Sequence, residues 1–238
     1  MLARAAAAVG TSDDGGMLTV SVAPSFAGKW LVPRIEGFSA RHPDIDVRIS
    51  ASMGLVDFRT DDVDVGLRFG SGNYPGLRVD KLFAESVTPL CAPALLAGEA
   101  PLDTPADLRH HTLLHDDSAY AIGPIPDWRM WLRVAGVEDE VDWHWGLRFN
   151  QAEYALQAAI DGLGVVIGRT SLARADLAAE RLVQPFALTL PTDYGYYMVA
   201  PEETADRPKV VAFRNWIVGE TRKDAAEAEA DTGPQPTP

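Results

Sequence analysis

Apolar residues recur along the chain with two different periods, which predicts strands that alternate with helices. Residues 17–23 are apolar and rich in β-branched side chains, and residues 44–50 alternate polar with apolar positions, so both are predicted strands. Between them, residues 26–41 carry aromatic and aliphatic side chains near helical spacing. We expect Ser25 to cap this helix, and Pro33 either to kink it or to mark where the helix proper begins.

The same alternation continues to about residue 220. The other predicted strands are residues 63–69, 77–90 (one long strand or two short ones), 112–115, 141–149, 164–168 and 194–200. The other predicted helices are residues 126–134, 150–161 with Asn150 as the cap, 171–178 and 207–220. Strands that are separated by helices with short links favour βαβ crossovers. The pattern therefore predicts a mainly parallel sheet in two comparable α/β halves.

The composition supports a large core and limits the class of protein. Of the 238 residues 47% are hydrophobic, which excludes wholesale disorder. The net charge is −13 and no Lys/Arg-rich run is present, so we expect no nucleic-acid binding by these residues themselves. No run of about 20 apolar residues could cross a membrane. A single cysteine, Cys91, and a start without a clear secretion signal favour the reducing cytoplasm.

The two ends of the chain differ in composition from its body. Residues 1–16 contain an alanine run and then a Ser/Asp/Gly segment, so we expect the end of a helix followed by a flexible link. Residues 223–238 have no large apolar side chain and carry a net charge of −3. Such a segment buries too little surface to offset its ordering entropy, which predicts a disordered acidic tail.

No catalytic or metal-binding pattern stands out in the sequence. Neither a G-x-S-x-G nor an H-E-x-x-H motif is present. His110, His111 and His115 lie close together, but adjacent histidines on a strand or loop point to opposite faces, so we expect surface or loop-capping roles. Cys91 lies in an apolar segment without a neighbouring base and is a predicted core thiol. The sequence therefore predicts no enzyme activity, no metal and no cofactor.

Polar residues follow several of the predicted strands and indicate a ligand-binding cleft. Ser25, Ser52 and residues 68–70 come after the first three strands, and Asn150 with Gln151 opens a helix of the second half. Ligands of open α/β sheets bind at the carboxyl ends of the strands. Helix N-termini that face each other across a cleft suit a small polar or anionic ligand. The alternative is that Ser25 and Asn150 are ordinary helix caps.

Five separated segments of the chain resemble the effector-binding domain of LysR-type transcriptional regulators. In order, over about residues 17–220, they are LTVSVAPSFAGKWLVPRIEGFSARHPDIDVRIS, DVDVGLRFGSGNYPGL, PLCAPALL, LRFNQAEYALQAAIDGLGVVIGR and RLVQPF. The likeness is greatest to the branch that includes the glycine-cleavage activator. It implies an α/β, type II periplasmic-binding-protein-like fold, in which two Rossmann-like subdomains are joined by two crossing strands. Subdomain I is then residues 17–90 plus 190–222 and subdomain II is residues 91–189, with crossing segments near residues 88–92 and 188–194.

The resemblance also implies an effector site between the two subdomains. Matching positions give the expected ligand contacts Ser25, Phe26, Arg68, Asn150, Gln151 and Tyr197, with Ser52, Phe69 and His115 as second choices. The expected effector is a small molecule, anionic or amino-acid-like. The predicted function is an effector-binding regulatory domain that controls transcription; the alternative is a solute-binding protein of the same fold that acts in transport.

Further partners follow from the same resemblance. Members of the family begin with a winged helix-turn-helix and a long linker helix, which read DNA through the major groove. The chain lacks these segments, so DNA binding would require an N-terminal module missing from it, and residues 1–16 match the end of the linker helix. Relatives also pair head to tail. We therefore expect a homodimer or tetramer in which the helix at residues 29–41 lies beside the helix at 151–161 of a partner.

Overall fold

Strands and helices alternate through most of the computed structural model, which describes residues 16–231 except 55, 99 and 119–121. The strands are β1 (Gly16–Val22), β2 (Ile45–Ala51), β3 (Val65–Gly70), β4 (Leu77–Leu90), β5 (Leu113–Asp116), β6 (Leu147–Phe149), β7 (Val165–Arg169) and β8 (Leu190–Pro201). The α-helices are α1 (Pro24–Phe26), α2 (Glu36–Ser39), α3 (Trp128–Ala135), α4 (Ala152–Ile160), α5 (Thr170–Ala178) and α6 (Pro208–Asp231). A π-helical turn, Ala27–Leu31, continues α1, and 3₁₀ turns occur at Pro93–Leu95 and Pro105–His110.

These strands form one continuous sheet in the order β2-β1-β3-β8-β4-β7-β5-β6. Strands β2, β1 and β3, here called the first sheet half, are parallel to one another, and so are β7, β5 and β6, the second sheet half. The central strands β8 and β4 run antiparallel to each other and to their outer neighbours. The sheet is therefore mixed, because two long strands return through its centre, whereas the sequence predicted mainly parallel pairing.

The long strands β4 and β8 connect the two sheet halves. Strand β4 is a single strand that pairs with β8 from Leu77 to Val87 and with β7 from Val87 to Leu90. The β4–β8 ladder contains two register shifts. Within it, a side chain at Gly195 would place its Cβ 2.6 Å from the Phe83 carbonyl oxygen, so only glycine allows this close approach.

Two hydrophobic clusters fill the space on either side of this junction. The larger one includes Trp30 and Phe213 beside the first sheet half and continues to Leu156 of α4. The smaller one contains Trp128 and Trp131 of α3 beside the second sheet half. Burial of each large apolar side chain contributes about 1.5–3 kcal/mol. Because the larger cluster reaches α4, the two halves share part of one core.

The first helix is shorter than its sequence pattern predicts. Instead of one helix over residues 26–41, α1 and its π-helical turn are followed by a turn that contains Pro33, and then by α2. The predicted interruption near Pro33 is confirmed. The predicted cap is wrong, because Ala23 occupies the N-cap of α1 and Pro24 takes the first helical position, where its missing N–H costs nothing. Ser25 lies inside the helix, and its side chain has a different role.

The aromatic-rich segment at residues 141–149 is only partly a strand. Its last three residues form β6, and the rest is a loop in which Gly146 has φ of 141°. A Cβ at Gly146 would lie 1.8 Å from the Leu113 carbonyl oxygen, so the loop passes close against β5. At the start of α4, Gln151 rather than Asn150 occupies the N-cap, and Asn150 is exposed.

Helix α6 corrects the prediction of a disordered tail from residue 223 onwards. The helix continues through residues 223–231, and Asp224 is buried in it. Its carboxylate accepts hydrogen bonds from Trp30 Nε1 at 2.7 Å and from Arg34 Nη2 at 3.0 Å. Arg174 of α5 donates to the Asp224 carbonyl oxygen. These contacts offset the entropy cost of ordering residues 223–231, and the composition of the segment does not reveal them.

The predicted linker-helix remnant and the end of the predicted tail, residues 1–15 and 232–238, lie outside the described residues. Among the helices that the structure does describe, none combines the length and the hydrophobicity needed to cross a membrane.

Candidate functional site

A cavity of about 490 Å³ lies where the carboxyl ends of strands from both sheet halves face each other. The residues after β1, β2 and β3 line it on one side, and those at the ends of β5 and β7 on the other. Its lining comprises Ala23, Ser25, Phe26, Ser52, Met53, Arg68, Phe69, Gly70, Ser71, Asn73, Tyr74, Ser118, Ile122, Arg169, Tyr194 and Tyr196. Both the location and the volume are typical of a small-molecule site.

Aromatic rings form much of the cavity wall. The ring of Phe26 stacks on that of Tyr196 with centroids 4.3 Å apart, and Phe69 lies 5.0 Å from Tyr196 and 6.0 Å from Tyr194. Phe26 and Tyr196 are fully buried, whereas Tyr194 and Tyr74 are half-buried. Burial raises the pKa of Tyr196, so its phenol stays neutral. Aromatic rings thus supply much of the apolar part of the wall.

Arg169, at the end of β7, joins the two sheet halves beside the cavity. Its guanidinium donates to Asp116 Oδ2 at 2.9 Å, to Ser118 Oγ at 2.8 Å and to the Tyr196 phenol at 3.3 Å. Its Cζ lies 4.8 Å from the centroid of the Phe69 ring. Burial, the largest influence on the pKa of Arg169, acts to lower it, but Tyr196 and Asp116 together leave that pKa raised. The charge of Arg169 is therefore compensated within the protein.

Arg68, on β3, is a second buried arginine but has no such compensation. The residue is 8% exposed, and its guanidinium donates to the carbonyl oxygens of Ser21 and Leu67, both at 3.1 Å, and to Ser21 Oγ at 2.7 Å. Among the described residues, no carboxylate lies within ion-pair distance of Arg68. Burial lowers its pKa, yet a guanidinium remains protonated in a protein. Arg68 thus brings an uncompensated positive charge to the cavity wall.

Ser25 both lines the cavity and contacts the opposite half. Its hydroxyl oxygen accepts a hydrogen bond from the Glu153 backbone N–H at 3.2 Å and lies 3.5 Å from Gln151 Oε1. The serine therefore caps the first turn of α4, a helix 126 residues further along the chain. Nearby, Lys29 Nζ forms an ion pair with Asp176 of α5 at 3.0 Å. These contacts connect the helix after β1 to the helices of the second sheet half.

Five of the sequence-predicted ligand contacts line the cavity: Ser25, Phe26, Ser52, Arg68 and Phe69. Gln151 is one step removed, because its side chain contacts Ser25 and not the cavity. Asn150 is exposed and outside the lining.

His115 and Tyr197 also lie away from this cavity. His115 lines a separate cavity of about 50 Å³, and its Nε2 is 3.3 Å from the Trp145 carbonyl oxygen. Tyr197 packs against Gly72, and its ring centroid lies 6.1 Å from that of Tyr74. Because successive side chains of a strand point to opposite faces, the tyrosine of β8 that faces the cavity is Tyr196.

Several lining residues were missed by the sequence reasoning. Arg169 is the most important, and its signal was a charged residue at the carboxyl end of the buried strand GVVIGR. Tyr194 and Tyr196 stand in the aromatic-rich strand β8, where only the pleat decides which residues face the cavity. Ser118 lies two residues after the end of β5, as a polar residue beyond a buried strand, and could have been found by the rule that identified Ser25 and Ser52.

The other candidate chemistry is accounted for by burial and spacing. Cys91 is fully buried, and burial raises its pKa to about 11, so the predicted core thiol is confirmed. Within the described part of the chain, no group of three or more His, Cys, Asp and Glu side chains could hold a metal ion.

Comparison with known proteins identifies the family. Residues 11–222 match the sequence model of the LysR substrate binding domain. The chain belongs to the LysR substrate-binding domain family. It is 45% identical to the glycine cleavage system transcriptional activator of Escherichia coli K12 over 214 residues, which cover 90% of this chain and 67% of that protein. It is also 33% identical to the HTH-type transcriptional activator AmpR of Pseudomonas aeruginosa over 202 residues, 85% of this chain and 65% of that one.

A solved LysR-family structure has the same fold. The effector domain of AmpR from Pseudomonas aeruginosa superimposes with a TM-score of 0.72 at 31% identity, over 89% of this chain and 98% of that one. The predicted type II periplasmic-binding-protein-like fold is therefore confirmed, as is the prediction of a LysR effector-binding domain. The chain spans about two thirds of the length of the curated relatives that it matches.

Proposed function

We propose that this domain senses a small anionic or amino-acid-like effector in the cavity between the two sheet halves, and so controls transcription. The observation that carries this proposal is the charge of Arg68, which is buried at the cavity wall without a carboxylate partner. A buried charge is costly unless it is paired. An anionic group in the cavity would pair with it, whereas an uncharged ligand would leave the cost in place.

The proposed contacts combine predicted and newly found residues. From the sequence prediction we retain the five that line the cavity, Ser25, Phe26, Ser52, Arg68 and Phe69, and to them we add Arg169, Tyr194 and Tyr196. The positions of His115, Asn150 and Tyr197 do not support a direct contact, and Gln151 would act through Ser25.

We further propose that the effector changes the relative orientation of two subdomains, residues 17–90 plus 190–222 and residues 91–189. The path of the chain supports this division, since β4 changes its partner from β8 to β7 at Val87. Helix α6 adds residues up to 231 to the first subdomain. A ligand shifts such an equilibrium only as far as it binds one arrangement more tightly than the other. Contacts across the cleft, such as the Lys29–Asp176 ion pair, would differ between the two arrangements.

The remaining partners are proposed from the family. Relatives are named as transcriptional activators, which supports a cytoplasmic regulator that has no enzyme activity and binds DNA through an N-terminal winged helix-turn-helix. We propose a homodimer or tetramer in which residues 29–41 lie beside residues 151–161 of a partner. In support, Val32 is 52% and Tyr154 is 55% exposed, so each segment presents an apolar side chain.

A binding screen with matched arginine variants tests the proposed function. Amino acids, small peptides and organic acids are screened by thermal shift, where a ligand at 100 times its Kd adds about 2.7 kcal/mol of stability. The variant Arg68→Gln should weaken each true effector by at least tenfold. The control Arg78→Gln, at an exposed arginine paired with Asp206 and outside the cavity, should leave binding unchanged. Ligands that bind equally well to both variants would contradict a site at Arg68.

A further inference from the structure

The guanidinium of Arg68 retains one unused edge. Its three hydrogen bonds to Ser21 and Leu67 are donated twice by Nη1 and once by Nη2. Among the described residues no acceptor binds Nε–H, and Nη2 donates only to Ser21 although it carries two hydrogens. Nε and Nη2 form one edge of the fork with which arginine binds a carboxylate through two parallel hydrogen bonds.

The charge of the site favours a group with a single negative charge. Arg68 is uncompensated, whereas Arg169 already pairs with Asp116 at 2.9 Å. One unpaired positive charge matches one carboxylate. A phosphate monoester carries between −1.5 and −2 at neutral pH and would leave an excess negative charge in the cavity.

The cavity wall selects for a flat ring. Tyr74 and Tyr194 are half-buried in the lining, and Phe69 lies between Tyr194 and Tyr196. Aromatic rings stack on such side chains in offset or edge-to-face geometry, which adds about 0.5–1.5 kcal/mol per pair beyond the burial of area. The volume of about 490 Å³ equals that of about sixteen water molecules at ~30 Å³ each. A two-ring acid occupies more of that space than a small amino acid does and reaches from Arg68 to the aromatic side of the wall.

We propose that the effector is a planar aromatic monocarboxylate, whose carboxylate binds the free edge of Arg68 and whose ring stacks on Tyr194. This proposal rests on the proposed function and narrows the class of its ligand. Arg169, which also lines the cavity, keeps its ion pair with Asp116 in the complex, so the charge that pairs with the carboxylate is that of Arg68.

Three related compounds test the charge and the ring separately. The full chain is titrated calorimetrically, in chloride buffer, with 2-naphthoate, with its saturated analogue decahydro-2-naphthoate, and with the uncharged 2-naphthamide. We expect 2-naphthoate to bind at least tenfold more tightly than either analogue. Tyr194→Leu should weaken 2-naphthoate at least fivefold and leave the saturated acid unchanged. Arg68→Lys, which keeps the charge but removes the fork, should weaken both acids at least tenfold, and Arg78→Gln neither.

Each contrary result overturns a stated part of the proposal. Equal affinity for the saturated acid would refute ring recognition, and equal affinity for the amide would refute the carboxylate contact. Both comparisons use the unmodified protein, so they do not depend on whether a variant folds. Absence of 2-naphthoate binding at 1 mM would refute the ligand class. The proposed function would survive that result if the broader screen finds another ligand that Arg68→Gln weakens, and would fail if every ligand binds without regard to Arg68.

Discussion

Replacement of Asp224 removes the contacts that hold the last turns of α6 to the body of the domain. The carboxylate accepts a hydrogen bond from Trp30 Nε1 at 2.7 Å and forms an ion pair with Arg34 at 3.0 Å. Trp30 is only 1% exposed, so water cannot replace the lost acceptor. In Asp224→Ala the indole N–H is therefore left buried without a partner, and Arg34 loses its counterion.

The expected loss of stability follows from three contributions. An unsatisfied buried donor costs about 1–3 kcal/mol. The ion pair adds about 0.5–1 kcal/mol, because the Arg34 side chain is one-fifth exposed and solvent screens it. The better helix propensity of alanine over aspartate returns up to about 0.7 kcal/mol. Asp224→Ala should therefore lower the free energy of unfolding by about 1–3 kcal/mol, and Asp224→Asn, which keeps an acceptor, by less.

Urea unfolding followed by tryptophan fluorescence measures this difference. The control is Glu227→Ala, at an exposed position on the same helix, which should change stability by no more than about 0.5 kcal/mol. If Asp224→Ala unfolds at the same urea concentration as Glu227→Ala, residues 223–231 do not pack on Trp30. The segment would then be a disordered tail, as its composition predicts.

Three further predictions concern the rest of the domain. Hydrogen bonds from Arg133 and a second arginine of α3 lower the pKa of the Glu138 carboxyl to about 2. The stabilisation from these contacts is therefore complete above about pH 5 and is lost as the pH falls towards 2. An NMR titration that gives Glu138 a pKa near 4.3 would contradict this. Because the pKa of Cys91 is about 11, iodoacetamide at pH 8 should label the unfolded chain at least a hundredfold faster than the folded one, and equal rates would refute its burial. Gly146→Ala, which directs a Cβ at the Leu113 carbonyl oxygen, should lower the free energy of unfolding by more than about 2 kcal/mol, whereas an unchanged melting temperature would show that the loop can move.

The local pattern of polar and apolar residues predicted several strands well, because burial on one or both faces of a strand is visible in the sequence. The strand predicted at residues 44–50 is β2 at Ile45–Ala51, and that at 164–168 is β7 at Val165–Arg169. The end of α6 could not be predicted in this way. Its stabilising partner, Arg34, lies 190 residues from Asp224 in sequence, and composition describes only the segment itself.

The candidate site was predicted in outline but not residue by residue. The strand-end rule and the family resemblance placed Ser25, Phe26 and Arg68 at the cavity, because both depend on topology. Tyr197 lies outside the cavity lining and Tyr196 within it, since a shift of one residue along a strand moves a side chain to the other face. Arg169 was missed because its partner Asp116 is 53 residues away, a pairing that only the folded sheet creates.

The cap that Ser25 provides to α4 makes the geometry of the cleft part of the stability of a helix. If the two halves move apart, the Glu153 N–H loses its acceptor and α4 begins without a side-chain cap, which costs about 1 kcal/mol. An effector oxygen that accepts from this N–H in place of Ser25 offsets that cost in the open arrangement, whereas a ligand that leaves the Ser25 contact intact does not. Ligands of equal affinity for the cavity can therefore differ in whether they favour separation of the two halves, according to whether they replace this one hydrogen bond.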